Sequence, residues 1–292
     1  MPPLHQRPGG VTMNKHLVST ALLTALLVFP LDLAAQNKHL TAANRAAPGS
    51  VTTNVQSDIE PLATQALKTM SNQLRAATSF SFTARIMREE PGTNGQTLDF
   101  FRHIDVEVQR PNKLRFNVRS DTSDVNLWYD GKNVTIMPAN AKVYTVIAAP
   151  PTIDATLAML KTKLETHTPL RPFLSTNPYA FLIDGVQSAN EVGLVNVDNK
   201  QFLHLAFREP NADWQLWLTG PDQVLPHRMA IIYKNLEDQP RVDVEFSNWN
   251  LNAQLPASAF IFSKPEGAVE ASLNAVRPGG THSQATQGGK AQ

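Results

Sequence analysis

The sequence predicts a mainly β domain of the α+β class, in which a long antiparallel sheet curls and a few helices lie across its concave side. Three observations carry this. The apolar period changes once from helical spacing to strict alternation. About six alternating segments, a helical interruption and about six more alternating segments follow, each ended by turn residues. Most of these segments have one apolar face, and an antiparallel sheet of that many strands accumulates twist and must cover it.

The elements follow in order. Ile59, Leu62, Ala63, Ala66, Leu67, Met70 and Leu74 recur at three-four spacing and predict a helix, with Ser57 or Asp58 as N-cap and Pro61 tolerated in the first turn. Phe80, Phe82, Ala84 and Ile86 then alternate with Ser79, Ser81, Thr83 and Arg85, and Pro91 to Gly95 makes a hairpin connection. Over the next strand Ile104, Val106 and Val108 face one way and His103, Asp105, Glu107 and Gln109 the other, so Arg110 falls on the apolar side. Pro111 breaks the ladder, after which Leu114, Phe116 and Val118 alternate with Lys113, Arg115, Asn117 and Arg119. Strand signals continue at 125–130, 133–137 and 142–148. Ile153, Leu157, Leu160 and Leu164 form the stripe of a second helix over Thr152 to Glu165, and an irregular, proline-punctuated segment runs from Pro169 to Tyr179. Strands return at 191–197, 201–208, 214–219, 227–234 and 241–249, with Asp198-Asn199-Lys200 as a hairpin turn and a short final strand at Ala259 to Ser263. Periodicity leaves two outcomes open under the helices, a packed core or a cavity.

At 292 residues the chain is ample for a sizeable core. Once Arg7, Lys15 and Asp32 near the N-terminus are set aside, acidic and basic residues balance, and the cations are scattered along strands, so no nucleic-acid footprint is expected. The absence of cysteine excludes thiol chemistry and disulfides. Lys15 and His16 precede an apolar run from Leu17 to Pro30, and Leu33-Ala34-Ala35 offers a cleavage site. Residues 1–35 therefore read as a removed signal peptide, with Met13 a plausible start. The large Leu33 leaves an uncleaved anchor as the alternative. Residues 36–57 read as a flexible linker, 58–270 as the domain and 271–292 as a disordered tail.

Four segments resemble, in order, the bacterial outer-membrane lipoprotein carrier LolA and its LolB-like relatives. Thr78 to Thr83 resembles the exit from that family's first helix into its first strand, and Val108-Gln109-Arg110-Pro111-Asn112 its basic-Arg-Pro turn. Asp130-Gly131-Lys132, with Val134, Ile136 and Pro138, resembles its D-G-K hairpin. Ala259 to Gly267 resembles its C-terminal F-x-F-x-P-P-x-G signature, Lys264 replacing the first proline. In length and C-terminal half the chain is more similar to a family of uncharacterised predicted periplasmic proteins of the same superfamily. The resemblance implies an unclosed, strongly curved antiparallel barrel with helices as a lid over a hydrophobic cavity, in a periplasmic monomer without cofactor. It also implies that Arg110 holds the lid helices through hydrogen bonds. The alternative from the residues alone is a strand-end arginine that snorkels to water. The chain departs from the carrier in its longer, proline-rich stretch from Thr152 to Tyr179 and in Trp214, Trp217 and Trp249, which find no counterpart.

The expected cavity wall is Phe80, Phe82, Ile104, Val106, Val108, Leu114, Phe116, Val118, Ile231 and Tyr233, with Arg110 as lid latch. Phe116, Trp128, Trp214, Trp217, Met229, Tyr233 and Phe246 either line that cavity or fill a core. His39, His103, His167, His204, His227 and His282 show no ligand spacing, so no metal is expected; His204 reads as a sheet histidine with a backbone partner. Glu89-Glu90 and the Asp105, Glu107 pair read as solvated, and Asp121 with Asp124 lacks the further ligands of a calcium loop. No nucleophile–base arrangement can be assembled by spacing. The expectation is a non-enzymatic periplasmic protein binding a lipid or acylated protein. The alternative is an envelope sensor or protein-interaction module with a packed core on the same fold.

Overall fold

The change of period falls at Ala77, where a helix hands over to extended backbone. The computed structural model describes residues 58–92, 94–122, 124–164 and 168–273. The expected signal peptide, the linker and its Ser57, most of the tail, and His39, His167 and His282 lie outside the described residues. A two-residue strand, β1 (Asp58–Ile59), precedes α1 (Pro61–Ala76). Ala63, Leu67, Met70 and Leu74 form the buried stripe of α1, whereas Leu62 is exposed and Ile59 belongs to β1. The N-cap is Glu60, not Asp58, and no side chain caps the first turn; Pro61 at its start has no N–H to satisfy.

Six strands then run as a meander: β2 (Ser79–Pro91), β3 (Thr97–Gln109), β4 (Lys113–Ser120), β5 (Val125–Tyr129), β6 (Asn133–Pro138) and β7 (Val143–Ala148). Three helices follow, α2 (Ile153–Leu164), α3 (Arg171–Leu174) and α4 (Pro178–Ile183). A second meander contains β8 (Ser188–Val197), β9 (Lys200–Arg208), β10 (Ala212–Leu218), β11 (Pro226–Tyr233) and β12 (Arg241–Asn250), and a two-residue β13 (Val269–Glu270) ends the fold. All thirteen strands form one sheet in the order β1-β8-β9-β10-β11-β12-β2-β3-β4-β5-β6-β7-β13. The meanders join where β12 pairs with β2, and the two ends, β1 parallel to β8 and β13 parallel to β7, remain apart. The fold is therefore the open, unclosed curved sheet with a few helices that the sequence predicts.

Register explains which side is buried. Phe82, Val106, Phe116, Leu127 and Ile136 are cross-strand partners in a single row from β2 to β6, and all are buried. The opposite face carries the polar phase, with Arg119 bonded to Asp105 at 3.0 Å and Arg115 near Glu107 at 3.5 Å. Both residues of the Asp198-Asn199 turn have positive φ, 48° and 59°, as the twist of a two-residue hairpin demands.

Three local expectations are corrected. Pro169 to Tyr179 is not simply irregular: Pro172 and Pro178 sit in the first turns of α3 and α4, where a missing N–H costs nothing, and Asn177 accepts from the Ala180 N–H to cap α4. Ala259 to Ser263 is not a strand. Residues Ala257–Phe260 form a 3₁₀ turn, Phe260 is fully buried, and Phe262 packs on Trp128 and Tyr144, with ring centroids 5.2 and 4.8 Å away. The F-x-F alternation thus serves two packing sites instead of a ladder, and strand pairing with β7 begins only at Val269. Glu90 is not solvated. Its side chain is 23% exposed and lies 3.8 Å from the Arg88 Nε.

Candidate functional site

The feature that the architecture leaves over is a cavity of about 300 Å³ between the helices and strands β10 and β11. Its roof is Leu157 and Leu160 of α2, Pro172 of α3, and Phe181 and Leu182 of α4; its floor is Trp214, Met229, Ile231 and Tyr233. Lys161, Thr168, Arg171 and Glu209 supply the polar part of the lining. The volume is at the lower end of the small-molecule range, and the largely apolar lining with few polar groups suits a hydrocarbon ligand.

The floor is set by register. Trp214 opposes Ile231, Leu216 opposes Met229, and Ala212 opposes Tyr233, so odd-numbered residues of β11 share the concave side with even-numbered residues of β10. Trp214 is fixed on both sides: its ring stacks on Phe207 at 3.8 Å, and its Nε1–H donates to Glu209 Oε1 at 2.8 Å. Burial raises the pKa of Glu209, partly offset by the Trp214 hydrogen bond.

Of the ten residues expected to line a cavity, Ile231 and Tyr233 do so. Phe80, Phe82, Ile104, Val106, Val108, Leu114, Phe116 and Val118 are all buried in one continuous cluster with Leu67, Met70 and Leu74 of α1 and Leu157 of α2. Of the larger aromatic and methionine set, Trp214, Met229 and Tyr233 face the cavity and Phe116 and Phe246 the core. Trp217 pairs with His204 in register and stacks against it at 4.1 Å on the outer face, where the His204 Nε2 meets Gln215 Oε1 at 2.9 Å, a side-chain partner in place of the expected backbone one. Asp121 and Asp124 both spend carboxylate oxygens on backbone N–H groups, of Phe101 and Ser120.

Arg110 sits where three elements end. Its Nε donates to the Ala77 carbonyl at 3.2 Å, Nη1 to Leu174 at 3.1 Å and Nη2 to Ser175 at 2.9 Å, while the guanidinium lies over the Phe80 ring. These are the C-terminal carbonyls of α1 and α3, which lack intrahelical donors and carry partial negative charge. Burial lowers the pKa of Arg110, and Asp154 opposes the shift. Asp154, in the first turn of α2, also accepts from the Thr176 hydroxyl at 2.6 Å and the Thr176 N–H at 3.1 Å. The short helices are thereby tied to α1, to α2 and to the end of β3.

Sequence reasoning passed over Arg88 and Arg102 and read Glu90 as solvated. All three continue the apolar phase of their strands, Arg88 and Glu90 after Ile86 and Arg102 before Ile104, which is the same signal that singles out Arg110.

A family model for predicted periplasmic proteins, DUF2092, matches residues 63–274, from the first turn of α1 to beyond β13. The chain belongs to this family. Its periplasmic location is that expected from the sequence. Among curated proteins none matches the chain significantly. Similar solved structures include the lipoprotein LppX of Mycobacterium tuberculosis, 12% identical over 68% of this chain and 100% of that one, with a TM-score of 0.44. The LolA superfamily protein NE2245 of Nitrosomonas europaea is 8% identical over 68% and 97% of the two chains, with a TM-score of 0.36. MucB in its complex with MucA from Pseudomonas aeruginosa is 14% identical over 64% and 56%, with a TM-score of 0.35.

Proposed function

We propose that this chain is a non-enzymatic, monomeric periplasmic binding protein that holds a lipid or a lipidated polypeptide in the cavity beneath α2, α3 and α4. The observation that carries the reading is the largely apolar cavity, roofed by helices whose ends are tied by polar contacts. Hydrocarbon entering such a space gains roughly 25 cal/mol per Å² of apolar surface removed from water, so binding needs no catalytic group and no cofactor. In this reading Arg110 is the latch: its three hydrogen bonds hold the roof closed when the site is empty, and a chain wedged beneath α3 and α4 must break them. A second reading, an interaction or sensor module for another envelope protein, draws on the eight expected wall residues that are packed into the core.

Native mass spectrometry of protein purified from the periplasm without detergent, followed by lipid extraction, separates the two. A lipid or acylated peptide at near-stoichiometric occupancy is the expected result. A bare mass, with no uptake of added phospholipid or lipopeptide, excludes carriage and leaves the interaction module.

A further inference from the structure

The cavity is polar at two places. On the roof, Lys161 belongs to the last turn of α2 and Arg171 opens α3, and both are turned toward solvent: Lys161 is exposed, and the Arg171 guanidinium lies over the ring of Phe181, which is 40% exposed. On the floor, Glu209 and Tyr233 belong to the lining at the turn between β9 and β10. Tyr233 opposes Ala212 in register, and the Glu209 N–H donates to the Ala212 carbonyl at 2.8 Å. Ala212, also in the lining, stands between them and ends at its Cβ, so it fills little of the space.

Both floor groups have hydrogen-bonding capacity to spare. Glu209 Oε1 accepts from Trp214 Nε1–H, whereas its second oxygen and the Tyr233 hydroxyl make no hydrogen bond among the described residues. The two are not bonded to each other, yet they are close enough to interact: burial raises the pKa of Tyr233, Arg88 opposes the shift, and Glu209 adds to it. Burial also raises the pKa of Glu209, against the Trp214 hydrogen bond, with Asp184 adding to the rise and Lys234 opposing it. The cations that act on this pair have carboxylates of their own. Lys234 Nζ donates to Asp213 at 2.8 Å, and Arg88 lies 3.8 Å from Glu90. Lys161 and Arg171 are not among the charges that act on Glu209, so the two polar places are apart. A desolvated carboxylate oxygen and a phenolic O–H without partners cost free energy, and a ligand group that pairs with both recovers it.

We propose that Glu209 and Tyr233 form a polar contact point inside the cavity that recognises a hydroxyl group on a hydrocarbon ligand, Tyr233 donating to the ligand oxygen and the second oxygen of Glu209 accepting its hydrogen. This rests on the reading of the cavity as a binding site and specifies the chemical class of its ligand as a neutral, hydroxyl-bearing amphiphile. A hydroxyl is both donor and acceptor and so satisfies both groups at once. An ether satisfies only Tyr233 and leaves the Glu209 oxygen unpaired, the kind of mismatch by which a polar site rejects an analogue. A carboxylate or phosphate at this place brings a negative charge beside Glu209, within a field to which Asp184 already contributes.

The test is a fluorescence titration at neutral pH, read through Trp214 in the cavity wall, with 1-decanol, 1-methoxydecane and decanoate below their solubility limits. The probes share a hydrocarbon chain and differ in the polar end, which is donor and acceptor, acceptor alone, or anion. Wild type is expected to bind 1-decanol about tenfold more tightly than either of the others, the effect of one hydrogen bond to a carboxylate. Glu209→Gln keeps the shape and removes the charge, so decanoate is expected to bind more tightly and the advantage of 1-decanol over it to disappear. Tyr233→Phe removes the donor, and 1-decanol and 1-methoxydecane are expected to weaken together, by roughly fivefold. Each variant tests one half of the pair, so either decides the matter if the other does not fold. Decanoate bound most tightly by wild type would place the polar end of the ligand at Lys161 and Arg171 and overturn the proposal. Three equal affinities overturn it as well, leaving carriage intact, and so does a preference for 1-decanol that survives in the folded variants. Failure of every probe to bind overturns carriage itself, and the contact point with it.

Discussion

Across β2 to β6 the concave face is buried in one apolar cluster with α1 and α2, whereas across β10 and β11 the same face meets its helices with a gap of about 300 Å³ between them. The strands do not differ in kind, since both regions alternate apolar and polar residues and both bury large side chains. The difference lies in the cover. The packed region is roofed by long stripes, Leu67, Met70 and Leu74 of the 16-residue α1 with Ile153 and Leu157 of the 12-residue α2. Much of the hollow region is roofed by α3 and α4, of four and six residues, each with a proline in its first turn and too short to present a continuous ridge. Helices of that length have no stability of their own and persist only through tertiary contacts. A roof of such short helices, over a space its side chains do not fill, is suited to opening.

The largest expected effect is a contrast in the cost of truncation. Phe116→Ala, in the filled row, is expected to lower unfolding free energy by about 3–5 kcal/mol, because it adds a void to a tight core. Ile231→Ala enlarges a space that already exists, and its expected cost is about 2 kcal/mol, the low end for that substitution. Urea denaturation of the two variants measures both. Equal costs would mean that the gap under α3 and α4 closes in solution, and the contrast between the two regions would fail.

Arg110→Met sharpens the comparison from the side of the roof. The methionine keeps the stem but removes three donors, leaving the carbonyls of Ala77, Leu174 and Ser175 without the side chain that satisfies them. The expected loss is about 3 kcal/mol, the penalty for stranding partly buried acceptors. It should be local. Amide exchange is expected to quicken in residues 170–183 well before it quickens in β2 to β4, and uniform quickening would show that Arg110 supports the whole core and not the short helices in particular.

These contrasts also mark what could be read from the sequence. Strand phases were legible because burial of one face imposes alternation over whole strands such as β3 and β4. The position of Arg110 was legible for the same reason, as a charge in an apolar phase. Phase alone does not say whether a residue facing inward meets a side chain or a void: Phe82 and Ile231 have the same pattern, and only the length of the helix above decides their surroundings. That length was obscured by Pro172 and Pro178, which read as breaks but act as first-turn residues. Arg88 and Arg102 carried the Arg110 signal too, but beside a hairpin end, where charged residues look like solvated strand tips.

The smallest expected effect concerns how the strands beneath the cavity are held from outside. Asp243 of β12 receives Arg228 Nη2 of β11 on Oδ1 at 2.7 Å and Arg241 Nε on its other oxygen. Its side chain is 12% exposed. Burial alone would raise its pKa, but the hydrogen bonds from Arg241 and Arg228 outweigh burial and bring it below the usual aspartate value. A carboxylate with a depressed folded pKa contributes stability above its unfolded pKa, and the contribution is lost as the pH falls through the folded value. The arginines are a third or more exposed, and solvent screening limits the contribution to about 1 kcal/mol. Asp243→Asn is therefore expected to be less stable than wild type near neutrality, and the two curves should converge as the pH drops below about 4, the ordinary aspartate range. Denaturation midpoints measured across that interval decide the matter. A gap that is unchanged in acid would assign the contribution of Asp243 to packing of its side chain between β11 and β12, and the strands under the cavity would then need no ionic support.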